Sequence, residues 1–387
     1  MTYFIILLLI LGGIIKYDLH HTNKSKYAYY RTLMYILILL SGLSYRVGGD
    51  IFSYMKEMKE YSDLSYLSLD YLNSFSGRLP GWVLFCTICK SVTSSFWFLH
   101  LTHAFILNFF AFKIIRESTN YIFSSVLLYF VLIYFELNFQ IIRESLAIGF
   151  FLGALYYYSK CKWLKYYLIL VIAAFIHETA IFLAILPLIR YIRINLITIT
   201  LVFFGTIFLI TFSDEVAEKI VTFYVSDEFT ERVNYYAVRI EIGSTFTKFS
   251  NYIINVALPL IGLALVKHQN KFLWYEHLVV IYVIIYSMGL SIPIMYRFNQ
   301  YFLLHFSIFF LEIFYMLSSF IGKKVGRKYI PAIYFLITIL FVSYRSRIYF
   351  VPKVTGHPTY VQFYPYASIF FEEKDEEREA FVKASGI

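Results

Sequence analysis

The stretch Tyr121-Ile-Phe-Ser-Ser-Val-Leu-Leu-Tyr-Phe-Val-Leu-Ile-Tyr-Phe-Glu-Leu137, Asn138-Phe-Gln-Ile-Ile-Arg-Glu144, Ser145-Leu-Ala-Ile-Gly-Phe-Phe-Leu-Gly-Ala-Leu-Tyr-Tyr-Tyr158 sets two apolar runs of helical length around a short polar corner. Near the centre of a bilayer an arginine costs about 2.5–3.5 kcal/mol even on lenient insertion scales. Arg143 and Glu144 therefore belong at a helix end or in a polar interior. Further on, His177-Glu178 again sits among apolar residues. Ionisable groups kept in such surroundings mark a place where a membrane protein handles something polar.

The rest of the chain agrees with a membrane setting. Only 15 % of its 387 residues are charged and 59 % are apolar, whereas a soluble domain carries about 25 % charged residues. The net charge of +9 is spread over short loops, so membrane topology explains it and nucleic-acid binding is not expected. Cys86 and Cys89 form a C-x-x-C without a second pair or a nearby histidine, which favours packing over a zinc or redox role. The start, Met1-Thr2-Tyr3, has no basic region before its apolar run and reads as an uncleaved helix.

Apolar runs fall at about 2–16, 30–45, 95–115, 121–138, 143–159, 164–176, 178–192, 194–212, 249–266, 273–291, 298–318 and 329–346. Between alternate runs lie compact basic loops: Lys16 to Arg31, Lys113 to Arg116, Lys160 to Lys165, Arg190 to Arg193, Lys267 to Lys271 and Lys323 to Lys328. They hold half of the 34 Lys and Arg, so the positive-inside rule makes them cytoplasmic. Residues 164–192 could form one helix of about 40 Å. Both of its ends are basic, however, so the chain must turn back near His177. The expected fold is all-α, a polytopic transmembrane helical bundle of about 10–12 spans with a re-entrant or short helical hairpin at His177. Residues 1–348 form the transmembrane domain, with outer loops 46–94 and 213–248. Residues 349–387 form a C-terminal tail on the outer side. Segment 79–92 opens with Pro80-Gly81-Trp82 and reads as a helix lying at the outer interface. Residues 214–241 read as short amphipathic helices, and the acidic stretch Glu372 to Glu379 as a solvated helix.

This topology gathers the polar candidates on the outer side: Arg46, Asp50 and Tyr54; Arg143 and Glu144 with Asn138 and Gln140; His177; and Arg297 with Tyr301. Each has a plainer reading. Arg46 could pair locally with Asp50, Arg143 and Arg297 could snorkel to headgroups, and His177 could satisfy a backbone carbonyl at the turn. Together they suit phosphate and sugar. Guanidinium groups grip phosphate oxygens bidentately, and tyrosines offer flat faces and hydroxyls to sugar rings. His177, Asp50 or Glu144 could take a proton from an attacking hydroxyl. A transferase with a lipid-diphosphate leaving group needs little beyond stabilisation of that charge. With no Asp-x-Asp motif in an outer loop, neither a metal nor another cofactor is expected.

Arg46-Val-Gly-Gly-Asp50 with Tyr54, Leu79-Pro80-Gly81-Trp82, Ile142-Arg143-Glu144-Ser145-Leu146-Ala147, and Ala174-Phe175-Ile176-His177-Glu178-Thr179-Ala180 together resemble the EpsG family of bacterial exopolysaccharide proteins. Tyr296-Arg297-Phe298 with Tyr301, and Tyr364-Pro365-Tyr366-Ala367-Ser368-Ile369-Phe370, resemble its later motifs. The resemblance runs in order over nearly the whole chain. It implies a Wzy-like polymerase in the bacterial cytoplasmic membrane, acting at the outer face. Such an enzyme joins undecaprenyl-diphosphate-linked repeat units into an O-antigen, capsule or exopolysaccharide, with a lipid-linked donor and acceptor as partners. A flippase and a chain-length regulator are further implied partners. On this reading Arg46, Tyr54, Arg143, Arg297 and Tyr301 bind substrate, while His177, Asp50 or Glu144 assists the acceptor hydroxyl. Two positions depart from the pattern: the acid that often precedes Pro-Gly is Leu79 here, and the glutamine that often follows the arginine is Glu144. A lipid-linked oligosaccharide flippase or other transporter, and an O-antigen ligase, are the competing readings; no internal repeat supports the transporter.

Overall fold

The apolar runs fold as helices. The computed structural model describes residues 1–20, 22–211, 245–290, 292, 295–351, 358–372 and 374–384. In chain order the helices are α1 (Thr2–Gly13), α2 (Lys26–Gly42), α3 (Ile51–Glu60), α4 (Leu69–Asn73), α5 (Pro80–Val92), α6 (Phe96–Ser118), α7 (Ile122–Tyr129), α8 (Phe135–Phe139) and α9 (Ile142–Ser159). They continue with α10 (Trp163–Ile176), α11 (Leu186–Ile189), α12 (Leu196–Thr211), α13 (Thr245–Tyr252), α14 (Leu258–His268), α15 (Glu276–Gly289), α16 (Met295–Val325), α17 (Ile330–Ser346) and α18 (Glu376–Ala384). Among the described residues no strand forms; an isolated antiparallel bridge joins Ser44 and Ser368.

Six helical stretches among the described residues are long and apolar enough to cross a membrane: Thr2–Leu19, Phe96–Ser118, Ile122–Phe139, Phe249–His268, Met295–Val325 and Arg327–Tyr349. Five shorter apolar helices accompany them. This is the pattern of an integral membrane protein, an all-α polytopic bundle. The outer loop expected at 213–248 lies, up to residue 244, outside the described residues, and with it the amphipathic helices expected at 214–241.

The chain divides into two compact units, Met1–Ala184 with Phe314–Ile387, and Ile185–Ile313. In the first, α9 packs against both α6 and α10, α2 against α6, and α1 against α7. Small residues let the backbones of membrane helices close up. A Cβ on Gly149 of α9 would stand 3.1 Å from Leu107 Cα of α6. A buried polar spine crosses this packing. Asn108 Nδ2 and Ser41 Oγ donate to Asn138 Oδ1 at 2.9 and 3.1 Å, and Tyr129 OH donates to Asn108 Oδ1 at 2.9 Å. His100 Nε2 lies 2.7 Å from Asn138 O, a carbonyl that the end of α8 leaves without a helical partner. His103 Nε2 lies 2.7 Å from Ser145 Oγ. Unsatisfied polar groups in hydrocarbon cost several kcal/mol each, so such groups pair inside the protein. The result pins the corner 138–145 to α2 and α6.

Residues 163–184 double back at His177. Helix α10 stops at Ile176, His177 is extended (φ −144°, ψ 127°), and Glu178–Ile185 runs as 3-10 turns. Tyr166 OH, near the start of α10, donates to Leu183 O at 2.6 Å, and Tyr167 OH to Ala184 O at 3.1 Å. The tail is not a freely solvated helix: Arg378, Phe381 and Val382 of α18 are buried. In the second unit α12 packs on α14 and α15. An ion pair of Lys267 with Glu276 (2.6 Å) joins the end of α14 to the start of α15, and Lys271 of the loop between them pairs with Glu312 in the middle of α16.

Candidate functional site

The chain after α2 must leave its helix and turn within four residues, and its geometry shows how. Arg46 adopts a left-handed conformation (φ 53°), and Gly48 follows at φ 100°. A Cβ on Gly48 would lie 2.2 Å from Phe139 O, so only glycine lets this loop press against the end of α8. Gln140 then ties the two together: its Oε1 accepts from Gly49 N at 3.2 Å and from Asp50 N at 3.3 Å, and its Nε2 bonds Gln362 of the tail. The loop 46–50 and the corner 140–144, ninety residues apart in sequence, are therefore one piece of structure.

From Asp50 the chain enters α3, which brings Tyr54 to the same corner. Tyr54 OH accepts from Arg143 N at 3.4 Å, and its ring meets Trp82 edge-on with centroids 5.7 Å apart. Burial pushes the Tyr54 phenol up to about 12; the charge of Asp50 adds to the shift and that of Arg143 opposes it. Near neutral pH Tyr54 is thus a neutral hydroxyl, able to donate to a ligand oxygen. The guanidinium of Arg143 is half-buried and donates through Nη1 to Gly77 O at 2.7 Å. Glu144 is buried.

The residues around Gly77 are clamped by a carboxylate that sequence reasoning passed over. Glu57 of α3 accepts from Arg78 Nε at 2.7 Å and Nη2 at 2.8 Å, a bidentate pair, and from Trp82 Nε1 at 3.1 Å. Tyr61 OH donates to it as well. Burial works to raise its carboxyl pKa, but the hydrogen bonds from Arg78, Tyr61 and Trp82 outweigh that and hold it below the usual value. The same pair raises the Arg78 guanidinium. Glu57 had a legible signal. Tyr54, Glu57, Met58 and Tyr61 recur at helical spacing, one face of a short amphipathic helix.

Gly81 seats the start of α5 against the end of α10, since a Cβ there would lie 2.6 Å from Phe175 O. His177, two residues on, is buried, with Nδ1 2.7 Å from Thr179 Oγ1. The helix before it, α10, packs against α5, the helix that carries Trp82. Arg46 does not make the local pair with Asp50 as its main ion pair. Its Nε and Nη2 approach Glu379 Oε1 of α18 at 2.8 and 2.6 Å, and its guanidinium lies over the Phe52 ring at 4.3 Å. Arg378 beside Glu379 donates to the carbonyls of Arg46 (3.0 Å), Val361 (3.4 Å) and Pro365. Nothing in the tail's sequence pattern pointed to that lock, because it depends on two charges 332 and 333 residues from their partners.

Arg297, half-buried in the first turn of α16, and buried Tyr301 belong to the second unit. Arg46, Asp50, Tyr54, Arg143, Glu144 and His177 all belong to the first. Among the described residues no group of three or more His, Cys, Asp or Glu is placed to hold a metal ion. The arrangement in the first unit offers guanidinium and phenol donors beside carboxylates, which suits an anion carrying hydroxylated rings.

A family model described as the EpsG family matches residues 27–368, a span that includes every candidate residue above and ends before α18. Neither the curated proteins nor the solved structures searched gave a match.

Proposed function

The chain belongs to the EpsG family, a family of Wzy-type polysaccharide polymerase-like proteins, and from that premise we propose that it is a polymerase-type glycosyltransferase acting on lipid-linked oligosaccharides. The donor is a glycan on undecaprenyl diphosphate and the acceptor a sugar hydroxyl of a second lipid-linked repeat. Reaction takes place at the outer face of the bacterial cytoplasmic membrane. One observation carries the reading: the 46–54, 77–82 and 140–144 segments meet around Arg143, with Gln140, Tyr54 and the Gly77 carbonyl as the joints.

In this reading Arg143 and Arg46 hold the diphosphate, while Tyr54 contacts sugar or phosphate oxygens. The acceptor oxygen attacks the anomeric carbon, and the bond from that carbon to the diphosphate oxygen breaks. The hydroxyl proton passes to Asp50, Glu144 or His177. Stabilising the charge that grows on the leaving diphosphate is the main task, and preorganised guanidinium donors do this without reorganising. The fully engaged Glu57 is a poor base and takes a supporting part.

Deletion of the gene in its native host tests this reading. A polymerase leaves single repeat units on the outer face or on their final acceptor. Repeats that stay facing the cytoplasm identify a flippase instead, and free polymer that never reaches its final acceptor identifies a ligase.

A further inference from the structure

The Arg46–Glu379 pair is built to be exchanged, and what it exchanges for follows from the proposed function, on which this inference rests. We infer that Glu379 occupies on Arg46 the place that a phosphate oxygen of the lipid diphosphate takes, so that the tail carboxylate and the donor compete for one guanidinium. Glu379 Oε1 sits on the Nε–Nη2 edge of the fork, at 2.8 and 2.6 Å, the edge that also suits a phosphate oxygen. The plane of the fork is fixed independently by Phe52, 4.3 Å below it. Arg46 thus remains poised when its carboxylate partner leaves.

The tail does not need the pair to stay in place. Its backbone is fastened by Tyr45 N to Ala367 O (3.0 Å), Gly48 N to Gln362 O (2.8 Å) and Ile369 N to Leu43 O (3.0 Å). Tyr3 OH adds a bond to Phe363 O at 2.8 Å, and buried Arg378 donates to three carbonyls. Release of Glu379 is then a side-chain rotation over an anchored helix. The two partners are 22 % and 29 % exposed, and pairs open to water are weak enough to be displaced by a more highly charged anion. The family match ends at residue 368, so the competing carboxylate lies beyond the segment that carries the candidate site.

Equilibrium binding of undecaprenyl diphosphate to the full-length protein in detergent, compared for wild type, E379Q, E379A and R46Q, tests the inference. Competition predicts that E379Q and E379A bind about three- to fivefold more tightly, the loss of one partly exposed ion pair, and that R46Q binds more weakly than wild type. A pair that serves only to hold the tail predicts unchanged or weaker binding in both Glu379 variants, and that result overturns the inference alone. If wild type itself does not bind undecaprenyl diphosphate, the functional reading falls and the inference with it.

Discussion

The guanidinium of Arg143 donates to the carbonyl of Gly77 at 2.7 Å, and the next residue, Arg78, is gripped by both oxygens of Glu57. The placement of a candidate ligand thus depends on a loop that a carboxylate on another helix fixes. Glu57 also holds the Trp82 indole, whose ring meets Tyr54, and Tyr54 OH accepts from Arg143 N. Two separate routes run from Glu57 to Arg143.

Replacing Glu57 therefore acts on Arg143 from a distance. E57A leaves the half-buried Arg78 and the Trp82 N–H without their acceptor, at a cost of about 1–3 kcal/mol. Hydrogen exchange should rise in residues 61–79, with the helices of the core unchanged. Donor KM should rise more than kcat falls. Equal exchange in variant and wild type contradicts this placement.

The same carboxylate gives a pH dependence with a definite sign. Its folded pKa is lowered, by hydrogen bonds from Arg78, Tyr61 and Trp82 acting against burial. The group binds fewer protons folded than unfolded, so its stabilisation is complete above the ordinary carboxylate value and is lost as pH falls through the folded one. Protection of residues 61–79 should weaken as pH drops below about 4.5, and E57Q should flatten that response.

Gly48 tolerates no side chain. G48A puts a Cβ 2.2 Å from Phe139 O at φ 100°, a conformation that itself costs of order 1–3 kcal/mol for other residues. The loop must move away from Gln140, separating Arg46 and Asp50 from the Arg143 corner. A lower unfolding temperature together with weaker diphosphate binding is expected; a fall in stability with binding untouched argues that the two segments need not meet.

Asn138 is the junction of the buried spine. N138L keeps the branched shape, in a somewhat larger side chain, but takes one hydrogen-bond partner each from Ser41 and Asn108, groups that lie among apolar residues and have no water to turn to. The expected loss is about 1–3 kcal/mol, read as a lower unfolding temperature, with N138D milder than N138L.

The helical architecture was legible because a bilayer imposes length and apolarity on every span. The break at His177 followed from charge parity alone. The motifs around Arg46, Tyr54 and Arg143 were legible as polar groups out of place, and the structure joins them. What escaped were partners made by tertiary packing. Glu57 shows its helical spacing in the sequence but not its partners Arg78 and Trp82, and Glu379 read as one acid of a solvated tail. His100 and His103, which hold the Asn138 carbonyl and the Ser145 hydroxyl, carry no motif of their own. Their roles depend on which helix each one faces, and a single sequence does not state that pairing. Arg297 and Tyr301 carried the same signals as Arg143 and Tyr54, yet they fall in the other compact unit.

The central claim is that this protein elongates glycans on a lipid diphosphate through Arg143. Purified, folded protein supplied with its native lipid-linked repeat should produce a ladder of longer glycans. R143K keeps the charge but loses the planar fork, and should slow the ladder about ten- to a hundredfold, the equivalent of about 1.4–2.7 kcal/mol. No ladder from wild type with the native repeat, or a ladder from R143K that matches wild type in rate and length, contradicts the account.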